Sequence, residues 1–250
     1  MNTLDLGTGP TLLFLHGVGM RAAAYRPLID TLAKHFRVIA PDLPGAGWNS
    51  LPPEEPTLEG FAADVQALLD ARKVRPDVIV GHSLGGGVAL SLAAARGFPR
   101  RLVLIDSVGA GSHQSTPSLL ARFLLLKNLR LLFSPARWPA VWRVLPHFLA
   151  TTAFRFRKCL RLGRLALGAA HNLHPALAIP GASPVFVSAT HDELFPPALY
   201  HDCAAAHPGS RVVEVSGGHD WCLLNPEAAA AVVMRIAFAK SECDLILPPP

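Results

Sequence analysis

The stretch "DVIVGHSLGGGVALSLAAA", Asp77 to Ala95, limits what this chain can fold into more than any other. An apolar run of strand type stops at Gly81-His82-Ser83-Leu84-Gly85-Gly86, and the pattern then resumes with helical character. Gly81 to Gly85 spell G-x-S-x-G between a strand and a helix, the setting in which a sharp turn holds a serine in a strained conformation. Side chains two residues before and two after the serine would collide, so glycine stands at both places. Such a turn lifts Oγ above the sheet edge, aims the helix N-terminus at it and leaves the N–H of Leu84 to bind an oxyanion. The competing reading is a serine N-cap in an ordinary strand-to-helix loop.

The rest of the chain decides between them. Short apolar runs recur at "TLLFLH" from Thr11, "RVIAPD" from Arg37, "RLVLID" from Arg101, "PVFVSA" from Pro184 and "RVVEVS" from Arg211. None alternates cleanly, as expected of strands buried on both faces of a parallel sheet. Helical patterns separate most of them: "RPLIDTLAKHF" with Pro27 in its first turn, "TLEGFAADVQALLDARK" with Thr57 as N-cap, and "PEAAAAVVMRIAFAK" after the last run. The fold class is therefore α/β, a mostly parallel central sheet flanked by helices. The rhythm breaks over 111–180, where helical patterns continue without a convincing strand. The expected organisation is a core of 1–110 and 181–240, a helical cap inserted at 111–180, and a C-terminal tail, 241–250.

Charge singles out the same insertion. Between Asp106 and Asp192 there is no acidic residue, against ten bases: Arg122, Lys127, Arg130, Arg137, Arg143, Arg155, Arg157, Lys158, Arg161 and Arg164. The remaining 13 Lys and Arg face all 18 Asp and Glu, so one segment gives the chain its net charge of +5. A solvated surface, an anionic substrate, or contact with anionic lipid would each suit such a segment. No nucleic-acid-binding module accompanies it. No apolar run reaches the roughly 20 residues that span a bilayer, and "MNTLDLGTGP" has no basic and apolar leader pattern. Cys159, Cys203, Cys222 and Cys243 match neither a zinc nor a disulfide spacing. The expectation is a cytoplasmic protein with reduced thiols and neither metal nor cofactor.

A serine nucleophile needs a base and a group that orients it. "FVSATHDELFPP" places Asp192 just after one strand and "VEVSGGHDW" places His219 just after the next. Asp106, ending "LVLID", is a rival for the orienting acid, whereas Asp220 points elsewhere as the neighbour of His219. The glycine pair before His219 favours it over His82, His171, His174, His191, His201 and His207. A second oxyanion donor is expected from "FLHGVGM", through the N–H of Val18. The same loop carries a decoy: Gly17 to Ala22 read G-x-G-x-x-A, and Asp42 follows at the interval of a dinucleotide site. A helix entering at Pro27 begins too late to aim its N-terminus at a pyrophosphate, so a Rossmann protein binding NAD is disfavoured.

With "HGVG", "PDLPGAG", "VGHSLGG", "HDELFPP" and "GGHDW" in order, nearly the whole chain resembles the α/β-hydrolase superfamily, in its small, capped, esterase-like branch. The resemblance implies Ser83 as nucleophile, His219 as general base and then acid, Asp192 as its orienter, and Val18 and Leu84 as oxyanion donors. Serine at the turn departs from the branches that use aspartate there. The motif after the second main strand also departs: Ala46 replaces a common histidine or arginine, Trp48-Asn49 replaces a small polar pair, and Trp48 either borders the entrance or packs under the cap. Only "NTLDL" precedes the first central strand, so the leading hairpin looks trimmed. Leu124, Leu125, Leu126, Leu131, Leu132 and Phe133 are candidates for an apolar substrate cavity. The expected activity is a cofactor-free serine hydrolase on an ester, lactone or thioester with a hydrophobic moiety. Carbon–carbon bond hydrolysis, or a non-hydrolytic lyase or cyclase, are alternatives on the same scaffold. Expected partners are a small hydrophobic or anionic substrate and, through the cap, an anionic membrane surface. Oligomeric state is not legible.

Overall fold

A computed structural model describes residues 1–47, 49–51, 54–112, 114–122, 138–152 and 156–239. Trp48, the six cavity candidates between Leu124 and Phe133, and the tail 241–250 lie outside the described residues. One sheet of seven strands organises the chain: β1 (Thr3–Leu6), β2 (Thr11–Leu15), β3 (Arg37–Pro41), β4 (Val78–His82), β5 (Arg101–Ile105), β6 (Pro184–Ala189) and β7 (Arg211–Val215). Their spatial order is β1-β3-β2-β4-β5-β6-β7, with β1 antiparallel to β3 and every other neighbouring pair parallel.

The six apolar runs form β2 to β7, and burial explains their lack of alternation. Leu12, Phe14, Val38, Val80, Val103 and Val187 join the core on one face, while Leu13, Leu15, Ile39, Ile79, Leu104 and Phe186 join the core on the other. Both faces of β2 to β6 are covered, so successive side chains there are mostly apolar, whereas edge strand β7 exposes Glu214. Helices α1 (Arg26–Leu32) and α9 (Pro226–Phe238) contribute to the first core. Helices α2 (Leu58–Ala71), α3 (Leu84–Arg96) and α7 (Pro197–Ala206) contribute to the second. Pro27 is the second residue of α1, and Thr57 caps α2 by accepting the Gly60 N–H at 3.0 Å.

Sequence patterning misses some elements. Within "NTLDL", Thr3–Leu6 form β1, a strand whose register runs Thr3 opposite Pro41 to Leu6 opposite Val38. It escapes notice because it is short and never fully buried, so it lacks an apolar run. Helix α7 and the single turn α8 (Trp221–Leu224) are also too short for a clear period.

Between β5 and β6 the described residues form α4 (Thr116–Ala121), α5 (Trp138–Thr152), α6 (Phe156–His171) and a 3-10 turn at Pro175–Ala178. α5 carries Pro146 in its interior. Several bases of this segment hold it onto the sheet domain. Arg122 donates to the Glu193 carbonyl at 3.2 Å, and Arg143 to the Leu223 carbonyl at 3.0 Å. Lys158 donates to the carbonyls of Gly47 and Asn49, and Arg161 to that of Glu54, with the Glu55 carboxylate 3.7 Å away. Charged donors on carbonyls are stronger than neutral ones, so part of the acid-free segment's charge serves attachment. Lys127, Arg130, Arg137 and Arg155 lie outside the described residues.

The Thr57 cap gives a direct test of how α2 begins. Thr57→Ala should lower the unfolding free energy by about 1 kcal/mol in urea denaturation, and Thr57→Ser should restore most of it.

Candidate active site

The turn from β4 into α3 is built by close approach. A Cβ on Gly81 would lie 2.5 Å from the Gly85 carbonyl oxygen and 2.6 Å from the Gly86 Cα. A Cβ on Gly85 would lie 2.3 Å from the Leu15 carbonyl oxygen, so the end of β2, not Gly81, excludes a side chain there. Ser83 is left at φ 52°, ψ −120°, and its side chain caps no helix N–H. A non-glycine residue in the left-handed region costs of order 1–3 kcal/mol. The surrounding backbone enforces it, and Oγ is thereby turned toward the loops after β6 and β7.

Those loops meet Ser83 in one hydrogen-bonded line. His219 Nε2 is 3.1 Å from Ser83 Oγ, and His219 Nδ1 is 2.9 Å from Asp192 Oδ2. The other oxygen of Asp192 accepts the N–H groups of Leu194 at 2.6 Å and Phe195 at 3.0 Å. A carboxylate so filled on Oδ1 directs Oδ2 at the ring. His219 Nδ1 then carries the hydrogen, and the Nε2 lone pair faces the serine hydroxyl. All three side chains are buried. Backbone bonds from Thr190 to Val215 and from His191 to Gly217 tie the two loops together.

Asp106 does not compete for His219. It is fully buried, with Oδ1 accepting the Ala189 N–H at 2.8 Å. Burial, reinforced by the nearby Asp192 charge, pushes its carboxyl well above the usual carboxylate range.

A second polar chain supports the first. Because the carbonyl of His219 can only accept, His82 Nε2 donates to it at 3.0 Å, and His82 Nδ1 is the acceptor. Tyr25 O–H therefore donates to His82 Nδ1 at 2.6 Å, while the Tyr25 oxygen accepts the Gly17 N–H at 3.3 Å. The loop after β2 is thus linked to the backbone of His219 through two buried rings. His16 holds the same loop: its Nε2 accepts the Leu43 N–H at 2.9 Å, so Nδ1 donates to the Gly17 carbonyl, also at 2.9 Å. Burial lowers the His16 pKa and keeps the ring neutral. His82 and Tyr25 carry no motif signal of their own. The sole hint is that His82 ends β4 beside Ser83, at the same sheet edge as the loops of Asp192 and His219.

Gly17 runs directly against the serine, since a Cβ there would be 3.2 Å from Ser83 Cβ. Val18 follows Gly17, and Leu84 is the first residue of α3; the two line one small cleft. Neither N–H donates to a described residue.

The decoy dinucleotide pattern is accounted for otherwise. Asp42 Oδ1 accepts the Ala22 N–H at 2.8 Å, and Oδ2 accepts from Asn2 at 3.0 Å. Helical backbone begins at Ala22, as a 3-10 turn, rather than within the glycine loop. Among the described residues, His82, His219 and Asp220 bring metal-capable atoms within 4.8 Å of one another. Both nitrogens of each ring are already committed to the contacts above, so the set offers no free imidazole donor.

Comparison with known proteins agrees with this architecture. Residues 12–232 match the family described as "Alpha/beta hydrolase family". A 2-hydroxy-6-oxo-2,4-heptadienoate hydrolase of Pseudomonas putida is 39% identical over 115 residues, 43% of this chain and 41% of that protein. An uncharacterized protein of Mycobacterium tuberculosis is 38% identical over 106 residues, 41% of this chain and 30% of that one. These alignments therefore span well under half of either relative. The crystal structure of the enol-lactonase from Burkholderia xenovorans superposes with a TM-score of 0.77 at 22% identity, covering 95% of this chain and 96% of that one.

Two measurements probe the buried polar groups. An aspartate whose folded pKa is raised binds its proton more tightly when folded, so its contribution is lost as pH rises above the unfolded value, about 3.9. Asp106→Asn should therefore gain stability over the parent as urea denaturation moves from pH 4.5 to 8. Tyr25→Phe removes the hydroxyl that donates to His82 Nδ1 and accepts the buried Gly17 N–H, and should cost about 1–3 kcal/mol in the same assay.

Proposed function

The chain belongs to the alpha/beta hydrolase family, and from that premise we propose that it is a cofactor-free serine hydrolase acting on an ester, lactone or thioester with a hydrophobic moiety. The observation that carries this reading is the line Asp192–His219–Ser83, with the imidazole tautomer dictated by the filled Oδ1 of Asp192. Ser83 Oγ attacks the carbonyl carbon as His219 Nε2 takes its proton, and Asp192 stabilises the imidazolium that forms. The N–H groups of Leu84 and Val18 receive the oxyanion, one at a helix N-terminus and the other on the loop against Ser83. Collapse passes the proton from His219 to the leaving oxygen or sulfur. Water then attacks the acyl-enzyme, with His219 as base, and releases the acid. Every proton moves between groups of this chain, the substrate and water. The helical segment over the site acts as a cap that shapes the acyl pocket.

A second reading has its own support. The relative from Pseudomonas putida is named for hydrolysing 2-hydroxy-6-oxo-2,4-heptadienoate, and an anionic substrate of that kind suits an acid-free cap. The bond broken would then join two carbons.

Labelling with a fluorophosphonate tests the nucleophile directly. Ser83 should be modified in the folded protein, and Ser83→Ala should abolish both labelling and esterase activity, by about 10⁴-fold or more in kcat/KM. Absence of labelling in folded protein overturns the serine mechanism. Labelling without turnover of any ester, lactone or thioester, together with cleavage of a dienoate, moves the second reading ahead.

A further inference from the structure

Among its described side chains, helix α5 turns Trp138, Trp142 and Leu149 to solvent. Val144 is buried in the core, Arg143 reaches the Leu223 carbonyl, and His147 Nδ1 accepts from Arg21 at 2.8 Å, so that side faces the protein. The other side carries Trp138, Trp142 and Leu149, exposed by 45%, 67% and 45%. At roughly 100° per residue these three fall within an arc of about 40°, a stripe about 16 Å long. A surface helix ordinarily turns such a stripe to the core. α6, which contacts α5, carries Leu160, 43% exposed, and exposed Arg164 four residues after it. Single exposed apolar residues need no explanation, but a contiguous set at this spacing marks a surface that binds something.

Charge selects the occupant. No acidic residue lies between Asp106 and Asp192, and ten bases do. A second copy of this chain would bring the same acid-free segment and set like charges against each other. An anionic lipid surface supplies negative headgroups and an apolar layer together, and indole rings suit the boundary between them. Among the described residues no helix is long and apolar enough to cross a membrane, so α5 would lie along the surface.

We propose that the outer face of α5 docks onto an anionic lipid surface, with Trp138, Trp142 and Leu149 entering the headgroup boundary and the bases of this acid-free segment drawing it to the headgroups. This surface is separate from the serine site, and its occupancy does not depend on the hydrolase reading.

Sedimentation with vesicles tests this without any turnover. The full chain should pellet with vesicles of phosphatidylcholine and phosphatidylglycerol in equal parts, and far less with phosphatidylcholine alone. Raising salt should weaken the binding, because screening removes the headgroup attraction. The double variant Trp142→Ser, Leu149→Ser should lose partitioning by about tenfold or more, since the apolar area of both side chains no longer leaves water. Both positions are exposed, so its far-ultraviolet circular dichroism should match the parent. Should the double variant misfold, Trp142→Gln alone carries the test and should still weaken binding severalfold. Failure to pellet with the mixed vesicles overturns the proposal, as does a folded variant that pellets like the parent. Equal binding to neutral vesicles removes the headgroup role. Self-association of the parent that the variant loses assigns the stripe to a second copy instead.

Discussion

The arrangement around the site depends on the strained backbone at Ser83. A φ of 52° in a residue with a Cβ persists only where the surroundings forbid relaxation. Here the surroundings are other backbones. Gly81 abuts Gly85 and Gly86, and Gly85 abuts the carbonyls that end β2. A Cβ on Gly86 would lie 1.9 Å from Ser107 Oγ, so the chain after β5 presses on the turn as well. The energy stored in one residue is thus maintained by the close packing of three neighbouring strands and α3. That packing also brings the loop after β2 alongside the serine hydroxyl.

Hydrogen bonding then removes the remaining freedom in sequence. Leu194 and Phe195 fill one oxygen of Asp192, which fixes the proton on His219, which leaves a lone pair for Ser83. In the second chain, the His219 carbonyl fixes the proton on His82, which makes Tyr25 the donor and leaves its oxygen for Gly17. Each ring has one tautomer because each line ends on a group that can only accept or only donate. A buried network satisfied this completely is stiff, since rotating any ring would leave two buried polar groups unpaired.

The basic helical segment illustrates how far charge counting goes. Ten bases without an acid describe a field, but the count does not say which bases hold the segment in place and which meet solvent. In the fold, Arg122, Arg143, Lys158 and Arg161 turn inward to carbonyls of the sheet domain. Arg157 and Arg164 stay exposed, Arg157 at a cleft that it lines with Asn49, Glu55 and Arg161. The same composition thus serves attachment and still leaves exposed charge on the segment.

The sequence alone determined the strands β2 to β7, the helices α1, α2, α3 and α9, the serine turn and the three residues that line up at it. Those features are written in local periodicity, in glycine spacing and in the order of strand ends, all of which act within a few residues. Tertiary structure decided the rest. It showed that Asp106 is bonded to the Ala189 N–H rather than to His219, because strand-end acids are indistinguishable until their loops are placed. It brought in Tyr25 and His82, which join only through contacts spanning 57 and 137 residues of chain. It revealed β1, whose half-exposed residues carry no apolar run, and it turned α5 outward. Helical periodicity gives a face but not its direction, and only packing against the core says which face meets water.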